Sequence, residues 1–289
     1  MNRERNFAVG TGTILATICG FLLAIPAHAA DHPGSLTEEF HQTYPLSPGG
    51  RFELDNINGA VHITGWDRNE VKVDAIKYAN SQQRLQEARI EVDAKSSEIS
   101  IRTQYPSHTH SFSDGDGDNP ATVEYTLSVP RSANLDEIKL INGPLDIQGV
   151  AADVRASCVN GHLSAHNLGG RAQLSTVNGK VEADFEQVGH SPIELSSVNG
   201  SVELTLPSDA KAEIEASTVS GGIDDDFGLH VSRHQFVGHS LRGDLGGGGT
   251  RIRLSDVNGR IEIRHANDGH ALSPARDLDH SDHDDGDEI

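Results

Sequence analysis

The side chains that could do chemistry in this 289-residue chain gather in a few polar stretches. The run Asp114-Gly-Asp-Gly-Asp118-Asn119 looks like the start of a calcium loop, where alternating carboxylates converge on one hard cation. It departs from that loop at Asn119, where the turn needs Gly, and at Tyr125, where the twelfth position needs Glu. The residues therefore read better as a solvated polar loop over 106–120. His108 and His110 would share one side of a strand and could offer nitrogen to zinc or copper, but further ligands at zinc spacing do not follow. Near the C-terminus His280, Asp282, His283 and Asp284 could hold divalent metals loosely, and a solubilising tail explains them as well. Asp224-Asp225-Asp226 puts charge where neighbouring segments carry apolar residues.

Catalytic patterns do not emerge. There is no Gly-x-Ser-x-Gly elbow and no His-Glu-x-x-His, and Gly246–Gly249 lacks the Lys and the helix of a phosphate loop. A glycoside-cleaving site needs two carboxylates across a sugar groove, and acids are plentiful here. Aromatic platforms are not: one Trp and four Tyr. No residue is assigned a catalytic, cofactor-binding or metal role, and no cofactor is implied.

The elements that would position these residues are set by a repeat. Asn58-Gly59, Asn142-Gly143, Asn160-Gly161, Asn178-Gly179, Asn199-Gly200, Ser220-Gly221 and Asn258-Gly259 stand in one local pattern. Before each lies a β-branched residue: Ile57, Ile141, Val159, Val177, Val198, Val219 or Val257. Three after the Asn (or Ser) comes Val61, Leu145, Leu163, Val181, Val202, Ile223 or Ile261. Five after it comes Ile63, Ile147, Ala165, Ala183, Leu204 or Ile263, with Asp225 the exception. Apolar residues two apart have the period of a strand. Asn142, Asn160 and Asn178 are 18 residues apart, and Asn178, Asn199 and Ser220 are 21 apart. Each interval holds two short strands and two corners, so a unit cannot bury a face alone but a stack of units can. The expected fold is all-β: a flattened β-solenoid of stacked two-strand coils. An antiparallel β-sandwich of hairpins is the alternative. Asn-Gly suits the corner because Gly takes positive φ freely and Asn tolerates it.

Four segments follow: a signal peptide at 1–29, a polar lead-in at 30–49, the solenoid at 50–264 and an acidic, disordered His/Asp-rich tail at 265–289. The signal peptide is read from Arg3 and Arg5, the apolar run from Val9 to Ile25, and Pro26-Ala27-His28-Ala29. A retained membrane anchor fits less well because of Pro26 and the small-x-small site. Ile18 is too bulky for a lipoprotein reading of Cys19, and no later segment is apolar enough to cross a membrane. Cleavage leaves Cys158 alone, so no internal disulfide forms, and its place beside Thr176, Ser197 and Thr218 marks it as a small column residue. Ser81 with Arg84, Leu85 and Gln86 suits a short capped helix. Residues 228–249 interrupt the rhythm, since Ser220 and Asn258 are 38 residues apart, close to two coils. The net charge of −20 disfavours nucleic acid and anionic lipid.

The run Leu54-Asp-Asn-Ile-Asn-Gly-Ala-Val-His-Ile-Thr-Gly-Trp-Asp67, followed by Glu70-Val-Lys-Val-Asp-Ala-Ile-Lys77, resembles the DUF4097 family of proposed adhesins. So does Tyr125-Thr-Leu-Ser-Val-Pro-Arg131, which leads into the Val-Asn-Gly coils, and the resemblance covers residues 50–264. It implies a bacterial envelope protein with a right-handed, coil-stacked β fold, and it supplies no catalytic or binding residues. The resulting expectation is an exported, non-enzymatic, adhesin-like protein of the periplasm or cell surface, binding an envelope protein or glycan. A polysaccharide-acting enzyme and a metal-responsive envelope stress component are the alternatives. The 106–120 loop, residues 224–249 and the tail, where the rhythm fails, are where a special activity is expected.

Overall fold

A computed structural model of the chain describes residues 35–106, 120–233 and 238–278. In chain order the strands are β1 (Leu36–Pro45), β2 (Arg51–Asn58), β3 (Val61–Trp66), β4 (Glu70–Ala79), β5 (Arg89–Lys95), β6 (Glu98–Gln104), β7 (Thr122–Pro130), β8 (Asn134–Asn142), β9 (Leu145–Gln148) and β10 (Val154–Asn160). They continue as β11 (Leu163–His166), β12 (Ala172–Asp184), β13 (Ile193–Leu206), β14 (Ala212–Ser220), β15 (Ile223–Asp225), β16 (Val231–Arg233), β17 (His239–Leu245), β18 (Thr250–His265) and β19 (Ala275–Asp277). One helix, α1 (Gln82–Glu87), starts at the expected cap, where the Ser81 hydroxyl accepts from the Arg84 amide.

The coils pair in parallel, which removes the hairpin sandwich. On the approach to the corner the order is β6, β2, β8, β10, β12, β13, β18, β14. Beyond the corner it is β7, β3, β9, β11, β12, β13, β18, β15. Strands β12, β13 and β18 run through the corner without a break. Antiparallel strands close the stack at both ends: β5, β4 and β1 on one side, β17 with β16 and β19 on the other. Such caps keep the outer coils from offering a bare strand edge.

The stack does not follow chain order. After β15 the chain forms the β16–β17 hairpin outside β14, and β18 then inserts between β13 and β14. The 38-residue gap is therefore a detour and a return, not two further coils in line. The C-terminal segment also differs from a tail that begins at 265. The Ala266 amide donates to the Leu206 carbonyl, the Ser273 hydroxyl donates to the Ala210 carbonyl at 2.7 Å, and β19 pairs with β17.

The core lies between the two runs of strands. Ile138, Ala156, Leu174, Leu195, Leu254 and Ala216 line it before the corner, and Val61, Leu145, Leu163, Val181, Val202, Ile261 and Ile223 line it after. Each fully buried Leu or Ile contributes about 2 kcal/mol of transfer free energy, so a thin core suffices when it is continuous. The two segments on either side of the N-terminal cap meet directly. The Arg131 guanidinium donates to Asp67 at 3.1 Å and to the Gly149 carbonyl at 3.0 Å, and Trp66 Nε1 donates to the Glu70 carbonyl at 2.7 Å.

The corner glycines serve close approach more than backbone rotation. A Cβ on Gly161, Gly179, Gly200, Gly259 or Gly221 would lie 1.6–1.9 Å from the carbonyl oxygen of the glycine in the adjoining coil. The φ angle is positive at Gly59, Gly143, Gly179 and Gly221, whereas Gly161, Gly200 and Gly259 do without it. The corner asparagines are not in the left-handed region either. Among the described residues only Asn167 and Asn267 are non-glycines with positive φ. The expectation that Asn is present for its backbone tolerance is thus corrected.

Candidate functional site: the corner and the outer sheet faces

What the corner asparagines do is bond to one another. Asn142 donates from Nδ2 to Asn58 Oδ1 at 2.8 Å, and Asn160 to Asn142 at 2.9 Å. Asn178 donates to Asn160 at 2.8 Å, Asn199 to Asn178 at 3.0 Å, and Asn258 to Asn199 at 2.9 Å. One amide donates and accepts in the same direction through six coils, and the ladder stops at Ser220, which pairs with Asn258.

Beneath this ladder, two residues before each Asn, runs a second one. The Cys158 Sγ donates to the Gly143 carbonyl at 3.5 Å, Thr176 to Gly161 at 3.3 Å, Ser197 to Gly179 at 3.1 Å and Thr218 to Gly259 at 3.3 Å. Cys158 is buried, and burial pushes its thiol up, so it is held as the inert thiolate precursor its column position suggested. Asp256 occupies the same column between Ser197 and Thr218. It is 3% exposed, and neither carboxyl oxygen has a hydrogen-bond partner. Burial, partly offset by the nearby Asn258 and Val257 amides, pushes its pKa up to about 6.

The outer face before the corner is a shallow groove of ≈ 290 Å³. Ser157, Ser175, Ser196 and Ser255 form its inner row, and Arg155, Gln173, Glu194 and Arg253 the outer row. Strand pairing fixes both rows, because the same column recurs coil after coil. The face beyond the corner is lined with His–carboxylate contacts and Lys–Glu ion pairs. His62 Nδ1 lies 2.8 Å from Asp146, His166 Nδ1 2.5 Å from Asp184, and His162 Nε2 3.6 Å from Glu182. Ser164 bonds to Asp146. Lys180 bridges Glu182 at 2.7 Å and Glu203 at 2.6 Å, and its ammonium holds the Glu182 carboxyl low. These His–acid pairs join residues 18 to 84 apart in sequence. Writing the coils under one another, in stack order, would have exposed them.

Of the residues singled out from sequence, His108, His110, Asp114, Asp116, Asp118 and Asn119 lie outside the described residues, as do His280, Asp282, His283, Asp284 and the segment 1–29. Asp225 is described: it accepts from the Leu229 amide at 2.7 Å, and burial raises its pKa. The charged residue thus caps the turn by which this coil opens into the following segment. Asp224 faces out and pairs with Arg260 at 3.2 Å. Asp209, Asp268 and His270 come together at the surface. Hydrogen bonds account for part of that grouping, since Asp268 accepts from the Ser208 and His270 amides and its carboxyl is held down to about 2 chiefly by Ser208. Among the described residues no helix is long and apolar enough to cross a membrane.

A stack of parallel coils with a corner ladder defines a coil-repeat β protein. The chain belongs to the Toastrack DUF4097 family, whose model matches residues 50–264. No curated protein matches the sequence. Among solved structures it is similar to a proposed cell adhesion protein of Clostridium sporogenes, with 15% identity, a TM-score of 0.46, and coverage of 79% of this chain and 100% of that one. A proposed adhesin of Bacteroides fragilis has 12% identity and a TM-score of 0.30, over 79% of this chain and 97% of its own. A proposed adhesin of Parabacteroides distasonis has 12% identity and a TM-score of 0.26, over 78% of this chain and 97% of its own.

Proposed function

We propose that this protein is an exported, non-enzymatic interaction module of the bacterial envelope that takes an envelope protein or glycan on its outer face before the corner. The observation that carries the reading is the groove itself. Its serine row presents hydroxyls at the inter-strand spacing of about 4.8 Å, and Arg155, Gln173, Glu194 and Arg253 stand beside it as longer polar arms. A shallow, regular polar groove on a rigid sheet suits an extended partner better than a small substrate, which needs enclosure. The carboxyls point the same way. A general acid needs a raised pKa and access to substrate. Asp256 has the first and lacks the second, while the half-buried Glu182 is held low by Lys180.

The test compares the wild type with the pair Arg155→Glu and Arg253→Glu in crosslinked capture from bacterial envelopes and in binding to purified envelope glycans. The wild type is expected to retain a partner that the charge-reversed protein loses. Equal capture by both would remove the groove from the account. Cleavage of an envelope polysaccharide by the purified protein would remove the non-enzymatic reading.

A further inference from the structure

In the six coils from Asn142 to Ser220 the residue before the corner Asn or Ser faces outward. Ile141, Val159, Val177, Val198, Val257 and Val219 are 39–51% exposed. Pairing places them side by side in that order, one per coil, since Asn142, Asn160, Asn178, Asn199, Asn258 and Ser220 are register partners in turn. Five steps of about 4.8 Å make a continuous apolar ridge about 24 Å long. Strand propensity alone would accept Thr at such a position as readily as Val. In these six coils Thr is absent from the ridge and appears instead in the buried column, at Thr176 and Thr218.

The charge around the ridge is as regular as the ridge. The Asn ladder on one side is neutral, and the serine row on the other carries a single charge, the Lys139 ammonium in the coil of Ile141. The outward residues just past the corner glycines of these coils are Pro144, His162, Lys180, Ser201, Arg260 and Gly222. No outward column from the serines to these residues carries a carboxylate in the six coils. Farther out the acids return: Glu137, Glu194 and Glu215 on one face, Asp146, Glu182 and Glu203 on the other.

We propose that the ridge is a self-association surface on which two copies of the chain meet corner to corner. Each copy carries a net charge of −20, and contact along either outer face would set carboxylates against their own copies. Along the ridge two such chains can lose water without setting carboxylate against carboxylate. A two-fold pairing lays Val177 and Val198 of one copy across the same pair of the other, with both Asn ladders at the rim. The apolar strip buries a few hundred Å² per copy, below the roughly 800 Å² per partner of a stable interface. The dimer is therefore weak and concentration-dependent, and salt strengthens it by screening the acidic flanks. This inference does not depend on the proposed groove partner, because Arg155, Gln173, Glu194 and Arg253 stand outside the ridge.

Sedimentation velocity of the protein tests it. The dimer fraction should rise from about 10 µM to about 500 µM protein and rise again when salt goes from about 0.05 M to about 0.5 M. The double variant V177K/V198K should weaken association about tenfold or more, and V177T/V198T, which keeps the β-branched shape, should weaken it about threefold with an unchanged melt. A wild type that stays monomeric at the highest protein and salt concentrations overturns the proposal and leaves the ridge to a different partner. Association that survives V177K/V198K unchanged also overturns it, because the contact must then lie elsewhere, such as at a strand edge.

Discussion

At the corner, a Cβ on Gly200 would lie 1.8 Å from the Gly179 carbonyl oxygen; on the return side leading into the same coil, a Cβ on Gly189 would lie 3.5 Å from the Gly169 carbonyl oxygen. The two regions solve different problems. The corner is packed backbone on backbone and locked by two side-chain ladders, so it sets the register of every coil. The return side absorbs what the corner will not. The coils between Asn142 and Asn178 repeat in 18 residues and the next two in 21; the first of these takes its added residues into the 185–192 loop, and the second lengthens its strands on either side of 207–211, away from the corner. Repetition is strict where coils touch through carbonyls and relaxed where they touch through loops.

The most direct way to break the corner is Gly200→Ala. One methyl must displace a backbone carbonyl held by strands on both sides, and overpacking of this kind costs about 3 kcal/mol or more. A urea melt should show it. Stability within about 0.5 kcal/mol of wild type would mean that the coils are spaced more loosely than the corner geometry requires.

Asp256 sharpens the comparison through pH. Its folded-state pKa, about 6, is above the ordinary 3.8. The folded protein therefore holds this proton after the unfolded chain has released it. The stability it permits is complete below about pH 4 and declines as pH rises through about 6, for a total of at most about 3 kcal/mol. When protonated, Asp256 can donate to the Gly200 carbonyl as Ser197 does to Gly179. When ionised, it sets a carboxylate against that carbonyl. Asn56, in the same column of the first coil, uses a neutral amide that donates to the Val123 carbonyl at 3.0 Å. Asp256→Asn should accordingly raise stability at pH 8 by about 1–2 kcal/mol and flatten the decline between pH 4 and 7. Parallel pH–stability curves for variant and wild type would show that the carboxyl is not what titrates.

The coils were legible because inward residues recur at fixed distances from the Asn. Val61, Leu145, Leu163, Val181, Val202, Ile223 and Ile261 are all buried. The facing of the β-branched residue before the Asn was not legible. The corner breaks the strand's alternation: positions two before and three after the Asn both point inward, so a count of two fails across it. The position of β18 between β13 and β14 left no mark in the spacing, since a parallel neighbour can come from any distance along the chain. The role of Asn is hidden in the sequence for a related reason. A turn preference can be read from one coil, whereas a ladder exists only between coils, and so do the His–acid pairs beyond the corner.

Asn178→Ala tests the ladder at its middle. It removes the bond to Asn160 and leaves Asn199 without its acceptor. Because water reaches these amides, the loss should be about 1–2 kcal/mol, smaller than that of Gly200→Ala. A urea melt equal to wild type would reduce the ladder to decoration on a register fixed by the backbone alone.

Gly189→Ala should do least. The new methyl meets the Gly169 carbonyl at an ordinary contact distance, and Gly189 is not among the glycines with positive φ. Its carbonyl, which accepts from the Thr250 hydroxyl, is untouched by the change. Alanine also narrows the unfolded ensemble, which favours folding by about 0.4–1 kcal/mol where the native backbone accepts it. The melt should therefore stay level or rise slightly. A loss of about 2 kcal/mol would erase the distinction between the two sides of the coil, since the return side would then prove as tightly packed as the corner.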